Sequence, residues 1–215
     1  ILMKRVVLNA IEFVKKYFEN ESSGHDYFHT IRVYKMACHI AEKENADKYI
    51  VSLAALLHDV DDIKLSPNTN KNKDNARRFL KENHVDEDTI NLICEIISEI
   101  SYKGVETVPG KTLEAKIVQD ADRLDALGAI GIARAFAFGG NHNRVMYDPD
   151  IKPHLNMNEE EYRNHVSTTI NHFYEKLFNL KDLMNTHSAK ELAISRELYM
   201  KEYIKQFLEE WDGIK

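Results

Sequence analysis

The stretch Leu53-Ala54-Ala55-Leu56-Leu57-His58-Asp59-Val60-Asp61-Asp62 ends the most apolar run of the chain on a string of polar side chains. Ile50, Val51, Leu53, Ala54 and Leu57 read as a helix that starts near Asp47, and their density marks it as central and buried. A burying helix normally sheds charge. One that ends on adjacent His58 and Asp59 either reaches solvent there or holds something. At a solvated C-terminus the histidine suits the helix dipole and the aspartate does not. Asp62 follows His58 by four residues and Asp59 by three, so it shares their face if the helix runs one more turn. Asp61 and Lys64 lie beside it.

Two further positions extend the pattern. His29 falls early in a helix expected from about Asp26 to Glu44, with Asp26 as its N-cap and Arg32 one turn on. An isolated H-x-x-R is more often a surface pair. Beside a metal, the cation would bind a second phosphate oxygen. Asp122 interrupts an apolar helix face, flanked by Ala121, Leu124, Ala126 and Leu127, with Arg123 and Asp125 as neighbours. Either Asp122 or Asp125 could turn inward, and Asp122 is preferred. A buried carboxylate needs a partner, and a metal is a good one. His29, His58, Asp59 and Asp122 together supply two imidazoles and two carboxylates. That set suits a divalent ion held by nitrogen and oxygen, with positions open for water and substrate.

Around these positions, apolar residues recur at helical spacing almost everywhere, and no alternating strand stands out. The expected helices are Met3–Phe18, Asp26–Glu44, the central one from Asp47, Asn75–Asn83, and Asp86 to about Ser101. A long helix capped by Thr112 bends near Gly128 and Gly131 and ends at Gly139-Gly140. Helices at Glu159–Leu177 and Ser188–Trp211 close the chain, with a short helical turn between. Glu21–Gly24, Ser66–Lys73 and Lys103–Lys111 read as loops, and so does the long irregular segment 139–158. The expected architecture is a single all-α domain over 1–215, with a metal-binding core at about 24–128 and a helical extension at about 129–215.

Composition narrows the function. The 215 residues carry a net charge of −6, which argues against gripping a nucleic-acid backbone but not against a small phosphate substrate. Eight glycines and four prolines disfavour a turn-rich β fold. Cys38 and Cys94 sit within apolar helical patterns and read as reduced core thiols. No apolar run spans a bilayer and no signal peptide is visible, so a cytoplasmic location without a membrane partner is expected. The chain opens Ile1-Leu2-Met3, and Met3 reads as a candidate native first residue.

Three strings carry a family resemblance. They are Gly24-His25-Asp26-Tyr27-Phe28-His29-Thr30-Ile31-Arg32-Val33, then Leu56 to Asp62, then Gln119-Asp120-Ala121-Asp122-Arg123-Leu124-Asp125-Ala126-Leu127-Gly128. In order and spacing they resemble the HD-domain metal-dependent phosphohydrolases. The downstream Asn171-His172-Phe173-Tyr174-Glu175-Lys176-Leu177 and Met184-Asn185-Thr186 resemble the YpgQ-type branch, bacterial nucleotide pyrophosphohydrolases. The resemblance implies an HD helical bundle with a C-terminal extension, and His29, His58, Asp59 and Asp122 as ligands of one metal. It puts Asp62 where related hydrolases carry an acidic catalytic residue, often Glu. Two-metal relatives place extra histidines between the HD pair and the last aspartate. Here only His84 lies in that interval, near a helix end, so a single metal is expected.

The expected activity is hydrolysis of nucleoside triphosphates to monophosphate and pyrophosphate by a metal-activated water. Asp62 orients that water or takes its proton, and Arg32, Lys64 and Arg123 offset phosphate charge. The residues alone reach only a phosphate ester or anhydride. Mn²⁺, Ni²⁺, Fe²⁺ and Mg²⁺ all suit the donors. The alternatives are a phosphomonoesterase, a guanosine polyphosphate hydrolase, or a non-catalytic nucleotide or metal sensor. The oligomeric state stays open, a homodimer being one option.

Overall fold

A computed structural model of the chain describes residues 2–19, 26–63, 65–102 and 106–215. The loop read at Glu21–Gly24, and the residues His25, Lys64, Lys103 and Gly104, lie outside the described residues. Among those described, every regular element is helical. Two compact units emerge, Ile1–Ser101 with Pro109–Asp122, and Tyr102–Val108 with Arg123–Lys215.

The first unit is built from capped amphipathic helices. In α1, Leu2–Tyr17, the buried Val6, Ala10 and Val14 recur every four residues, so one stripe faces inward. Asp26 accepts from the His29 backbone N–H at 2.7 Å and starts α2, Tyr27–Glu44. Asp47 accepts from Tyr49 and Ile50 N–H and starts α3, Lys48–Leu57. Every residue of α3 from Ile50 to Leu57 is buried, and α3 packs against α1, α2 and α5. The central helix expected from its apolar density is therefore the core of this unit.

Between α3 and α4, Asp74–Glu82, the chain runs through turns. Asp86 caps α5, Glu87–Ser98, and Thr112 caps α6, Leu113–Asp125, by accepting from Ala115 N–H at 3.1 Å. The buried Gln119 of α6 donates to the Glu99 carbonyl at 2.9 Å and accepts from Gly110 N–H at 3.2 Å, which fixes the rotation of α6 about its axis. Cys94 is buried and Cys38 half-buried, and neither forms a disulfide.

In the second unit the structure departs from expectation twice. The helix through Asp122 does not merely bend near Gly128; it ends at Asp125, and α7, Gly128–Asn141, begins afresh with Leu127 as N-cap. Gly128 has φ 71°, a conformation that favours glycine, and a Cβ on Gly131 would stand 2.2 Å from the Ala126 carbonyl oxygen. These two glycines allow a break where a gentler bend was read. The expected helix at Glu159–Leu177 is also two elements, α8, Glu159–Asn164, and α9, Thr169–Glu175. Thr169 and Ile170 N–H turn to the Val145 and Met146 carbonyls, at 3.1 and 2.9 Å, and Thr168 caps α9. A 3₁₀ helix, Leu177–Leu183, and α10, His187–Trp211, complete the unit around buried Phe173, Leu180, Ala193 and Met200.

Candidate metal centre

Three helices of the first unit each deliver a side chain to one spot. His29 stands in the first turn of α2, where the Asp26 cap holds its backbone, and it is buried. His58 forms the C-cap of α3, and Asp59 follows in the turn beyond; both are buried. Asp122 comes from α6, its side chain 31% exposed.

Their donor atoms converge. His58 Nε2 lies 3.2 Å from Asp59 Oδ2 and 3.9 Å from Asp122 Oδ1. His29 Nε2 lies 3.5 Å from Asp59 Oδ2 and 3.4 Å from Asp122 Oδ1. Two donors each about 2.1 Å from one ion stand roughly 3.0–3.4 Å apart at octahedral or tetrahedral angles. Three of the four spacings fall at or close to that range, and His58–Asp122, at 3.9 Å, is wider. His29, His58 and Asp59 form a cluster able to hold a metal ion.

The electrostatics favour positive charge at the same spot. His58 Nδ1 lies 2.8 Å from the Ala55 carbonyl, which can only accept, so Nδ1 carries a proton and Nε2 is the nitrogen that offers a lone pair in the neutral ring. That Nε2 is buried and makes no hydrogen bond among the described residues, an orphaned nitrogen facing two carboxylates. Burial pushes the His58 imidazole down, but the Asp59 and Asp122 charges outweigh it and leave it above its ordinary value. Burial likewise pushes the Asp122 carboxyl up, yet the His29 hydrogen bond and the imidazole charges hold it below the usual carboxylate range. The cluster thus concentrates negative charge and demands a positive partner.

The other site candidates are placed differently. Helix α3 stops at Leu57 rather than running one more turn, so Asp62 follows within a turn, its N–H donating to the Asp59 carbonyl at 3.1 Å; its side chain is half-buried. Arg32 lies half-buried one turn after His29 on α2. Lys64 lies outside the described residues. Arg123 belongs to the second unit, where it is buried and donates to the Leu183 carbonyl. Asp125, the alternative to Asp122, is in the second unit too, held by Arg134 at 2.6 Å.

The sequence reading missed the weight of Asp61. Its side chain is fully buried, and its two carboxylate oxygens accept from the N–H groups of Asn75 and Ala76, at 3.1 and 2.9 Å. Asn70 donates to its carbonyl at 2.7 Å, and Tyr17 and Asn75 donate to that of Val60, at 2.8 and 3.1 Å. The turn carrying Asp59 is thereby anchored to α1 and α4. Nothing in the local sequence pairs Asp61 with residues fourteen and fifteen positions away.

The HD-domain family model matches residues 26–127. The Bacillus subtilis protein YpgQ is 36% identical over 204 residues, spanning 94% of this chain and 92% of YpgQ. The chain belongs to the HD-domain family. A Lactobacillus plantarum protein shares the fold with TM-score 0.85 and 40% identity, over 97% of this chain and 98% of that one. An HD-superfamily hydrolase from Bacillus thuringiensis matches with TM-score 0.78 and 43% identity over 98% of both chains. Crystalline YpgQ in complex with ADP matches with TM-score 0.77 and 34% identity, over 98% of this chain and 96% of that one. The fold is that of the HD-superfamily hydrolases, and no helix among the described residues is long and apolar enough to cross a membrane.

Proposed function

We propose that this HD protein is a metal-dependent phosphohydrolase that cleaves nucleoside triphosphates to monophosphate and pyrophosphate. The observation that carries the reading is the orphaned His58 Nε2 facing Asp59 and Asp122 beside His29. The ADP complex of YpgQ supports a nucleotide substrate.

In this reading His29, His58, Asp59 and Asp122 hold one divalent ion, and Mn²⁺, Ni²⁺, Fe²⁺ and Mg²⁺ all suit the mixed donors. When bound, the ion supplies Lewis acidity to an attacking water and to a phosphoryl oxygen. The chain's own residues do the rest. The Ala55 carbonyl keeps the proton on His58 Nδ1 and so keeps Nε2 available. Asp62 orients the attacking water or takes its proton. Arg32, Lys64 and Arg123 offset the phosphate charge as it grows in the transition state. The chain acts as one HD domain, with a metal core at about 24–128 and a C-terminal helical extension at about 129–215.

A nucleotide panel assayed with each metal, reading phosphate and pyrophosphate separately, tests the proposal. Pyrophosphate with matching monophosphate is expected from triphosphates. Phosphate from monophosphates would make it a phosphomonoesterase, and turnover only on guanosine polyphosphates would move the substrate there. No turnover with any metal would leave a sensor domain.

A further inference from the structure

Lys73 is the most unusual lysine of the first unit. It precedes α4 with φ 57°, a left-handed conformation that disfavours a residue bearing a Cβ. Its side chain is drawn inward until only 9% of the residue's surface is exposed. Among the described residues its ammonium makes no hydrogen bond and no ion pair within 4.0 Å. Burial pushes the ammonium below its ordinary value, against the pull of Asp61, Asp62 and the Cys94 thiol. Asp61 turns its two oxygens to the Asn75 and Ala76 N–H groups and stands beyond ion-pair distance of the Lys73 ammonium. An ammonium in such a place is costly unless something acceptor-rich comes to it.

The space beside it is open. A cavity of about 460 Å³ is lined by Lys71, Lys73 and Arg77, with Asn91 and Cys94 on its wall. Arg77 donates Nε–H to the Asn72 carbonyl at 2.9 Å and one N–H to Asn91 Oδ1 at 2.8 Å, which holds the guanidinium plane and leaves further N–H donors. Glu95 is the acid among the lining residues, and Lys111 meets it at 2.8 Å. Glu87 also lies 3.8 Å from Arg77, but it is shared with Lys81 at 3.5 Å. The wall keeps a positive balance on Lys71, Lys73 and Arg77, which suits a multiply charged anion. The volume lies within the range of small-molecule sites, roughly 300–1,000 Å³.

We propose that this cavity is a second anion site, distinct from the metal centre, that takes a phosphate-bearing ligand up to nucleotide size on Lys73, Arg77 and Lys71. None of its lining residues belongs to the His29–Asp122 cluster. Anion binding here is independent of the reaction that cluster performs.

The test is calorimetric titration of the full chain with inorganic pyrophosphate, in chelator so that no cation competes for the probe. The wild type is expected to bind saturably, more weakly as salt rises. Lys73→Met keeps the length and removes the charge, and Arg77→Gln removes the fork on a half-buried position. Each should weaken binding by at least about tenfold, since each deletes a charge-assisted contact. Asp59→Ala should leave binding unchanged. Absence of saturable binding to the wild type overturns the proposal, and so does binding that survives Lys73→Met and Arg77→Gln but disappears in Asp59→Ala. Should Lys73→Met fail to fold, Arg77→Gln with a wild-type circular dichroism spectrum decides between the same outcomes.

Discussion

His58 donates a hydrogen bond from Nδ1–H to the carbonyl of Ala55, three residues back in the chain, at 2.8 Å. That bond turns the other ring nitrogen towards the Asp59 and Asp122 carboxylates, whose charges favour a cation there, whether a proton or a metal ion. A divalent ion should therefore stabilise the folded chain, by about 2.7 kcal/mol at a free concentration a hundredfold above its dissociation constant. Thermal melts with and without Mn²⁺ read the increment. Asp59→Ala should lose the increment, the bound metal and nearly all turnover, while keeping its helical spectrum. Full turnover with normal metal content in that variant would reduce the HD pair to a helix end.

Asp62→Asn separates chemistry from metal binding. The side chain keeps its shape and loses its basicity. Metal content should stay near normal while kcat falls by roughly 10²-fold, the scale of lost acid–base assistance. Loss of metal, with activity restored by excess Mn²⁺, would make Asp62 a ligand instead.

Asp61→Ala tests stability. It leaves the Asn75 and Ala76 N–H groups unpaired at the first turn of α4. A cost of about 1–3 kcal/mol is expected, read as a lower urea midpoint. Asp61→Asn, which keeps an acceptor, should cost less. Equal midpoints for Asp61→Ala and wild type would show that water replaces the carboxylate freely.

His172 predicts the acid limb of stability. Burial, with the nearby positive charges of Lys176 and Arg144, pushes its imidazole down to about 3 from an ordinary 6.5. Between those values the unfolded chain holds a proton that the folded chain refuses. Its contribution is therefore complete above pH 6.5 and is lost as pH falls towards 3, by an amount on the order of a few kcal/mol. His172→Gln cannot take up that proton, so its stability should fall less steeply across the same window. Parallel curves for the two proteins would refute the assignment.

Arg32→Ala probes the phosphate. If Arg32 meets phosphate in ground and transition states alike, KM should rise with kcat unchanged. If it acts mainly in the transition state, kcat should fall. Steady-state kinetics at saturating metal reads the split, and wild-type values for both would remove Arg32 from the site.

Much of this molecule is written in local sequence. Periodicity marks α1, α2, α3 and α5, and Asp26, Asp47, Asp86 and Thr112 mark where helices begin, because an N-cap is a contact between residues two or three apart. The apolar run into His58-Asp59 makes α3 central, and the motif order picks out His29, His58, Asp59 and Asp122 before any coordinates. Other features lie between distant residues and leave no local trace. Asp122 rather than Asp125 joins the cluster because Gln119 sets the rotation of α6 through Glu99 and Gly110, and Arg134 engages Asp125. The helix read at 159–177 breaks because Val145 and Met146 claim the N–H groups of Thr169 and Ile170. Asp61 becomes the brace of the HD turn, and Lys73 the buried wall of a cavity, only when α4 folds back beside α5. Helix propensity and capping act over a few residues. Which carboxylate turns inward, and which cation is left without an acceptor, depends on packing between segments far apart in the chain.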